Sequence, residues 1–152
     1  MTHPKSTRLS VARRIGADPA STALLLAGPA ALELWPGARR VGEVVGRALV
    51  EISTWPGARH LTAAVTAHLP QRTPTGFVTR FSWTGLGLPV VEGVLSLTYA
   101  PNSNGAPSAH AQLVLEVTGL GGSRLDLAGL TAMADGFLRN LSVAAEARRR
   151  TA

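Results

Sequence analysis

The chain has 152 residues, of which 45% are hydrophobic, and a formal net charge of +6 at pH 7. This length and composition predict one globular domain with a sizeable core, and the lack of cysteine excludes disulfides, thiolate metal sites and a cysteine nucleophile. The arginines occur as scattered pairs and one terminal run without interleaved aromatic residues, a distribution that argues against a nucleic-acid interface.

The N-terminal residues lack the apolar stretch of a signal peptide. The most apolar run, residues 20–34, is interrupted by Gly28-Pro29 and is too short for a transmembrane helix. We therefore expect a cytoplasmic protein with a single domain at residues 8–147 and flexible tails at 1–7 and 148–152.

The first predicted elements are a strand at residues 8–15 and two short helices at residues 20–27 and 30–34. Asp18 can accept a hydrogen bond from a first-turn amide, and Pro19 suits the first helical position because its missing N–H would be unpaired there in any case.

The pentapeptide Trp-Pro-Gly-Ala-Arg occurs twice, at residues 35–39 and 55–59. A structural repeat would require matching flanks and a third copy, whereas the first copy follows a helical segment and the second follows a β-branched one. We interpret the two copies as independent turns. The first ends the second helix, because a residue before proline is disfavoured in helical conformation, and the second joins two strands.

From residue 40 onward the hydrophobic period changes from helical to two, which predicts strands. Gly46 is either a bulge or a turn. Residues 60–69 alternate without a break, and a turn at residues 102–105 joins the last two strands, so the strands are expected to form an antiparallel meander. The residues that share one face within each of the other strands are Val44, Ala48, Val50 and Ile52; Phe77, Thr79, Phe81 and Trp83; Val91, Leu95, Leu97 and Tyr99; and Ala111, Leu113, Leu115 and Val117.

A long C-terminal helix is predicted from apolar residues at helical spacing, with Asp135 and Arg139 as a solvated pair on its far side. Ser123 and Asp126 resemble a capping box at its start. Its apolar stripe should cover the apolar face of the sheet. The stripe comprises Leu127, Leu130, Ala134, Phe137, Leu138, Leu141 and Ala145, with Met133 on its flank.

This order of elements, with Ala17-Asp18-Pro19 leading to Trp35-Pro36-Gly37 and a terminal helix ending in residues 144–147, resembles the START-related superfamily of polyketide cyclase/dehydrase and lipid-transport proteins. The resemblance implies an α+β helix-grip fold. In that fold an antiparallel sheet of about six or seven strands curls around the long C-terminal helix, and two short helices follow the first strand. It also implies a mostly apolar cavity that holds a lipid, aromatic or polyketide-like molecule.

Strand alternation places the carboxylates and histidines of the sheet on its outer face, and the sequence shows no nucleophile elbow, phosphate-binding loop or dinucleotide fingerprint. His60 and His68 are eight residues apart in one strand, a separation of about 26 Å that excludes a shared metal ion. We therefore predict no catalytic, metal or cofactor site. The outward groups are Glu92, Glu116, His60, His68 and His110, and the inward polar groups that could orient a ligand are Thr79, Trp83 and Tyr99.

The leading hypothesis is binding or carriage of a small apolar ligand. The alternatives are an aromatase/cyclase-type enzyme acting through cavity shape and a few hydroxyls, and a regulatory protein-interaction domain. Whether the inward aromatic side chains line a cavity or fill a core stays open, as does the choice between monomer and homodimer. The expected ligand-binding residues are Trp35, Phe77, Thr79, Phe81, Trp83, Leu97, Tyr99, Leu113, Met133 and Phe137.

Overall fold

The computed structural model describes residues 6–53, 60–101, 104–120 and 126–151. The strands are β1 (Ser6–Ile15), β2 (Ala38–Val44), β3 (Arg47–Ser53), β4 (His60–Ala67), β5 (Gln71–Thr73), β6 (Gly76–Thr84), β7 (Val90–Tyr99) and β8 (Ala109–Thr118). The helices are α1 (Pro19–Ala27), a 3₁₀-helix (Pro29–Leu34) and α2 (Leu127–Thr151).

Within the described residues, the strands form one antiparallel sheet of eight strands in the order β1-β8-β7-β6-β4-β3-β2, with β5 pairing with β6 off this path. The first strand therefore joins the last one, and the strands between them form the expected meander. The α+β architecture with a long C-terminal helix is confirmed. None of the helices in the described ranges is long and apolar enough to cross a membrane.

The segment that follows β1 folds as the sequence predicted. The Asp18 carboxylate accepts a hydrogen bond from the Ser21 amide at 2.6 Å, and Pro19 occupies the first turn of α1. The short helix after Gly28 is a 3₁₀-helix and not an α-helix. It ends at Leu34, so that Trp35, in extended conformation, begins the loop that leads into β2.

Gly46 belongs to a turn, which divides the expected strand into β2 and β3. Val45 and Gly46 have φ values of 50° and 76°, the positive pair that a tight two-residue hairpin turn requires. Val44, which was expected on the inner face, is 52% exposed. That expectation was wrong because the chain reverses directly after Val44 and the alternation restarts in β3.

Val45 is a β-branched residue in a left-handed backbone conformation, which costs an L-residue about 1–2 kcal/mol. Its side chain is 95% exposed, so it contributes little packing. Val45→Asn should therefore raise the free energy of unfolding by about 1 kcal/mol, because Asn-Gly is the preferred pair for this turn. Urea denaturation measures the change. The control is Val44→Asn, at a strand position beside the turn, which should not raise the free energy of unfolding. A loss of stability in Val45→Asn would show that the backbone at position 45 is not strained.

The Asp126 side chain caps the start of α2, since its carboxylate accepts a hydrogen bond from the Gly129 amide at 2.7 Å. Ser123, the other half of the expected capping box, lies outside the described residues. Residues 54–59, with the second Trp-Pro-Gly-Ala-Arg, and residues 102–103, of the turn before β8, also lie outside them.

Leu127 is 41% exposed, although its spacing predicts a place in the apolar stripe. It is the first residue of the helix, and full burial begins at Leu130.

The core lies between the inner face of the sheet and α2. Both elements contribute fully buried leucines, among them Leu113 and Leu115 from β8 and Leu138 and Leu141 from α2. The Glu146 carboxylate accepts hydrogen bonds from the Gly16 amide and the Ser142 hydroxyl, at 3.1 and 3.2 Å. The first bond attaches the C-terminal half of α2 to the turn between β1 and α1, and the second lies within α2.

The elements extend beyond the expected domain limits of 8–147. Ser6 and Thr7 pair with Thr118 and Val117 as part of β1, and α2 continues to Thr151.

Candidate functional site

Four aromatic side chains gather between the sheet and α2 around Trp35. The Trp35 ring stacks on Phe137 with centroids 4.6 Å apart. It meets Trp83 and Phe81 edge to face, at centroid distances of 4.9 and 5.6 Å. We call Trp35, Phe81, Trp83 and Phe137 the aromatic cluster. Three elements supply it, namely the loop after the 3₁₀-helix, β6 and α2.

The loop that carries Trp35 is fixed against α2. The Asn140 side-chain amide donates a hydrogen bond to the Leu34 carbonyl at 2.7 Å. One turn earlier in α2, Gly136 leaves room for Pro36, because a Cβ at position 136 would overlap the proline ring. The Trp35 carbonyl accepts a hydrogen bond from the Ala38 amide at 3.0 Å, and this turn leads the chain into β2. The position of Trp35 thus depends on its neighbours in both sequence and space.

A cavity of about 60 Å³ lies beside the aromatic cluster. A cavity needs about 10–15 Å³ to hold one water molecule, so this space is large enough for a small apolar group. Its walls are almost entirely apolar. They comprise Leu26, Ala31 and Leu32; Trp35 and Ala38; Val50, Ile52, Val65, Ala67 and His68; Thr79, Phe81, Trp83 and Leu95; and Phe137.

Two polar groups in the walls come from β6. The Thr79 hydroxyl donates to the His68 carbonyl at 2.9 Å, so its hydrogen is already used. Trp83 is 3% exposed, and its indole Nε1–H has no hydrogen-bond partner. Within the described part of the chain it is the one buried side-chain polar atom left unpaired in this way.

His68 is exposed, as the alternation predicted, and it also borders the cavity. It follows the last residue of β4, and its amide donates to the Arg80 carbonyl of β6 at 2.9 Å. The His68 side chain is exposed, so it lies at the edge of the cavity and not deep within it. Glu92, Glu116 and His110 are exposed, as the alternation predicted, and the His60 side chain lies outside the described residues.

Of the expected ligand-binding residues, the structure brings together Trp35, Thr79, Phe81, Trp83 and Phe137 around the cavity. The other five do not border it. Leu97 and Leu113 are fully buried core residues, Met133 is buried, and Phe77 is partly buried against the core. Tyr99 is 58% exposed, because it is the last residue of β7, and it cannot orient a ligand in this cavity.

Apart from Trp35, the expected set omitted the walls formed by the first half of the chain. Leu26, Ala31 and Leu32 come from α1 and the 3₁₀-helix, and Val50 and Ile52 come from β3. The alternation had already placed Val50 and Ile52 on an inner face, which was the available signal. The sequence of the two short helices gave no comparable signal, because their contact with the sheet joins segments that are distant in sequence.

No protein-family model matches the chain, and no curated protein matches it. Solved structures do match over nearly its whole length. An aromatase/cyclase from a Streptomyces species is 14% identical with a TM-score of 0.67, covering 95% of this chain and 96% of that one. A conserved protein from Geobacillus kaustophilus is 12% identical with a TM-score of 0.66, covering 92% and 95%.

A protein from Chromobacterium violaceum is 19% identical with a TM-score of 0.63, covering 94% of this chain and 99% of the other. Likeness at such identities shows the fold alone, and that fold is the helix-grip arrangement expected from the order of elements. One fold hosts many functions. Function therefore has to be argued from the cavity.

Proposed function

We propose that the protein binds and carries a small apolar molecule in the cavity beside the aromatic cluster. The observation that carries the proposal is an unfilled apolar space beside the aromatic cluster. Protein interiors are close-packed, and the side chains around a void lose dispersion contacts. A ligand of matching size would restore those contacts and would be removed from water, which favours its binding.

The size of the cavity limits the ligand. A space of about 60 Å³ accommodates one ring or a short branched chain, whereas a polycyclic molecule would require the walls to move. We therefore expect single-ring compounds to bind more tightly than fused-ring compounds of the same polarity.

An aromatase/cyclase-type activity is less well supported by the same residues. General acid-base catalysis needs a titratable group within reach of the reacting atoms. His68 is the one titratable side chain among the described residues that border the cavity, and it is exposed at the edge. The similarity to an aromatase/cyclase therefore extends to this chain as fold, and binding is the function that the cavity supports best.

Filling the cavity should abolish binding. Ala31 borders the cavity, and its neighbour Ala30 in the same 3₁₀-helix is exposed. With toluene at about ten times its dissociation constant, the unmodified protein and Ala30→Phe should gain about 3–6 °C in Tm. Ala31→Phe should gain nothing, because its ring occupies the space. Thermal unfolding followed by circular dichroism measures all three proteins.

Two results would contradict the proposal. One is an equal rise in Tm for all three proteins, which would place toluene elsewhere. The other is no rise in the unmodified protein, together with a clean mass of the unliganded protein and a co-purified partner chain in native mass spectrometry. That combination would favour a protein-interaction domain.

A further inference from the structure

A pair of opposite charges lies on the inner face of the sheet, next to the wall that β2 and β3 contribute to the cavity. The Arg40 guanidinium and the Glu43 carboxylate are 3.9 Å apart, from Nη2 to Oε2. Arg40 pairs with Val50 of β3, and Ala38 lies two residues earlier in β2. Both Ala38 and Val50 border the cavity. Because alternate residues of a strand share a face, the Arg40 side chain lies on the same face as these two wall residues.

A β-bulge brings Glu43 to that face as well. Arg40 and Glu43 are three residues apart, a spacing that places two side chains on opposite faces of a regular strand. The register of β2 with β3 shifts between Arg40 and Gly42, so that Glu43 pairs with Ala48. Ala48 shares the inner face with Val50 and packs against the core. Bulges redirect side chains and are common beside functional sites, and this one holds both charges on the inner face of the edge strand.

The Arg40 guanidinium keeps most of its capacity to donate hydrogen bonds. It carries five N–H donors, whereas the Glu43 carboxylate is an ion-pair partner beyond hydrogen-bond distance. Among the described residues, Glu43 is its one carboxylate partner, and no group accepts a hydrogen bond from it. The Arg40 side chain is 36% exposed, so a ligand can reach it. A guanidinium in this state suits a carboxylate, which it can bind through two parallel hydrogen bonds.

We infer that the ligand is an amphipathic carboxylic acid, whose small apolar body occupies the cavity and whose carboxylate binds Arg40 at the edge of the sheet. The inference rests on the proposed function, because it takes the cavity as the place of the apolar body. The described walls of the cavity carry no lysine or arginine, and burial of an unpaired charge there would be strongly unfavourable. The acid group therefore has to lie outside the apolar space, and Arg40 is the cation on the face of the wall residues Ala38 and Val50.

Acids and amides of the same shape separate the charge from apolar contact. The probes are phenylacetate, 3-phenylpropanoate and 4-phenylbutanoate, each compared with its primary amide, so that the chain between ring and carboxylate varies in length. In the unmodified protein the best-binding acid should bind about tenfold more tightly than its amide, as for one hydrogen-bonded ion pair. Isothermal titration calorimetry at about 0.15 M salt, which screens long-range attraction to the net charge, measures the affinities. This comparison requires no variant.

Two neighbouring arginines provide matched variants. Arg40→Gln should abolish the preference for the acid and leave the affinity for the amide unchanged. Arg39→Gln is the control, because it removes the same charge from the next residue. Arg39 lies on the outer face, where its guanidinium is 3.5 Å from the Glu51 carboxylate and its side chain is 71% exposed. Arg39→Gln should therefore keep the preference for the acid. Far-UV circular dichroism verifies that both variants are folded.

The outcomes distinguish this inference from the proposed function. If the amides bind as tightly as the acids, or if toluene raises the Tm but neither series binds, the carboxylate contact is overturned and the apolar site stands. An equal loss of preference in Arg39→Gln would assign the preference to net charge and would also overturn it. So would a preference that survives in Arg40→Gln but is lost in His68→Gln, which would place the acid group beside His68. If toluene and both series fail to bind, the proposed function fails and the inference fails with it.

Discussion

Phe137→Ala should lower the free energy of unfolding by about 3–5 kcal/mol, the range for truncation of a well-packed buried aromatic side chain. Phe137 is 3% exposed and stacks on Trp35 at 4.6 Å. Its removal would leave a void that joins the existing cavity, and the cost of such a substitution rises with the volume that stays unfilled. Loss of the stacked pair adds to the loss of buried area.

The matched control lies on the other side of the same helix. Asp135 is exposed, so Asp135→Ala should change the free energy of unfolding by less than about 0.5 kcal/mol. Urea denaturation of both variants with a common m-value provides the comparison. Equal effects would mean that α2 does not present Phe137 to the sheet, and the description of the cavity would fail with it.

Gly93→Ala should be the second large effect, at about 1–3 kcal/mol of destabilisation, accompanied by weaker toluene binding. Gly93 lies opposite Phe81 in the pairing of β6 with β7. A Cβ at position 93 would overlap the Phe81 ring, which lies over the glycine. The ring would have to leave its position in the wall of the cavity, so stability and binding should change together.

Gly42→Ala in β2 is the control for this substitution. A Cβ at position 42 would meet only the Leu49 side chain, at 3.9 Å. This change should be neutral or slightly stabilising, because alanine reduces the conformational freedom of the unfolded chain. Urea denaturation and a toluene titration on both variants measure the effects. Unchanged toluene binding in a folded Gly93→Ala variant would show that Phe81 does not shape the cavity.

Trp35 links the fold to the candidate site. Its loop is held by Asn140 and Pro36 against α2, and its ring contacts all three other members of the aromatic cluster. The sequence predicted that the first Trp-Pro-Gly ends the second helix, a local role. Its role in the cavity wall depends on the packing of α2, which lies about a hundred residues further along the chain.

The sequence by itself determined which face of each central strand is apolar, where α1 begins and how the elements follow one another. Val50, Ile52, Leu113 and Leu115 are buried as their alternation predicted. Asp18 caps α1 as its position predicted. These features depend on the backbone period and on hydrogen bonds within a few residues, and both are encoded locally.

Only the tertiary structure decided which inward side chains border a space and which fill the core. Leu95 and Leu97 share one face of β7, yet Leu95 borders the cavity and Leu97 does not. Tyr99 shares that face by alternation but is exposed, because β7 ends there. Alternation specifies the direction of a side chain, whereas a void forms where the elements packed above that side chain leave a gap. That gap depends on how α1, the 3₁₀-helix and α2 pack on the sheet, which no local pattern in the sequence records.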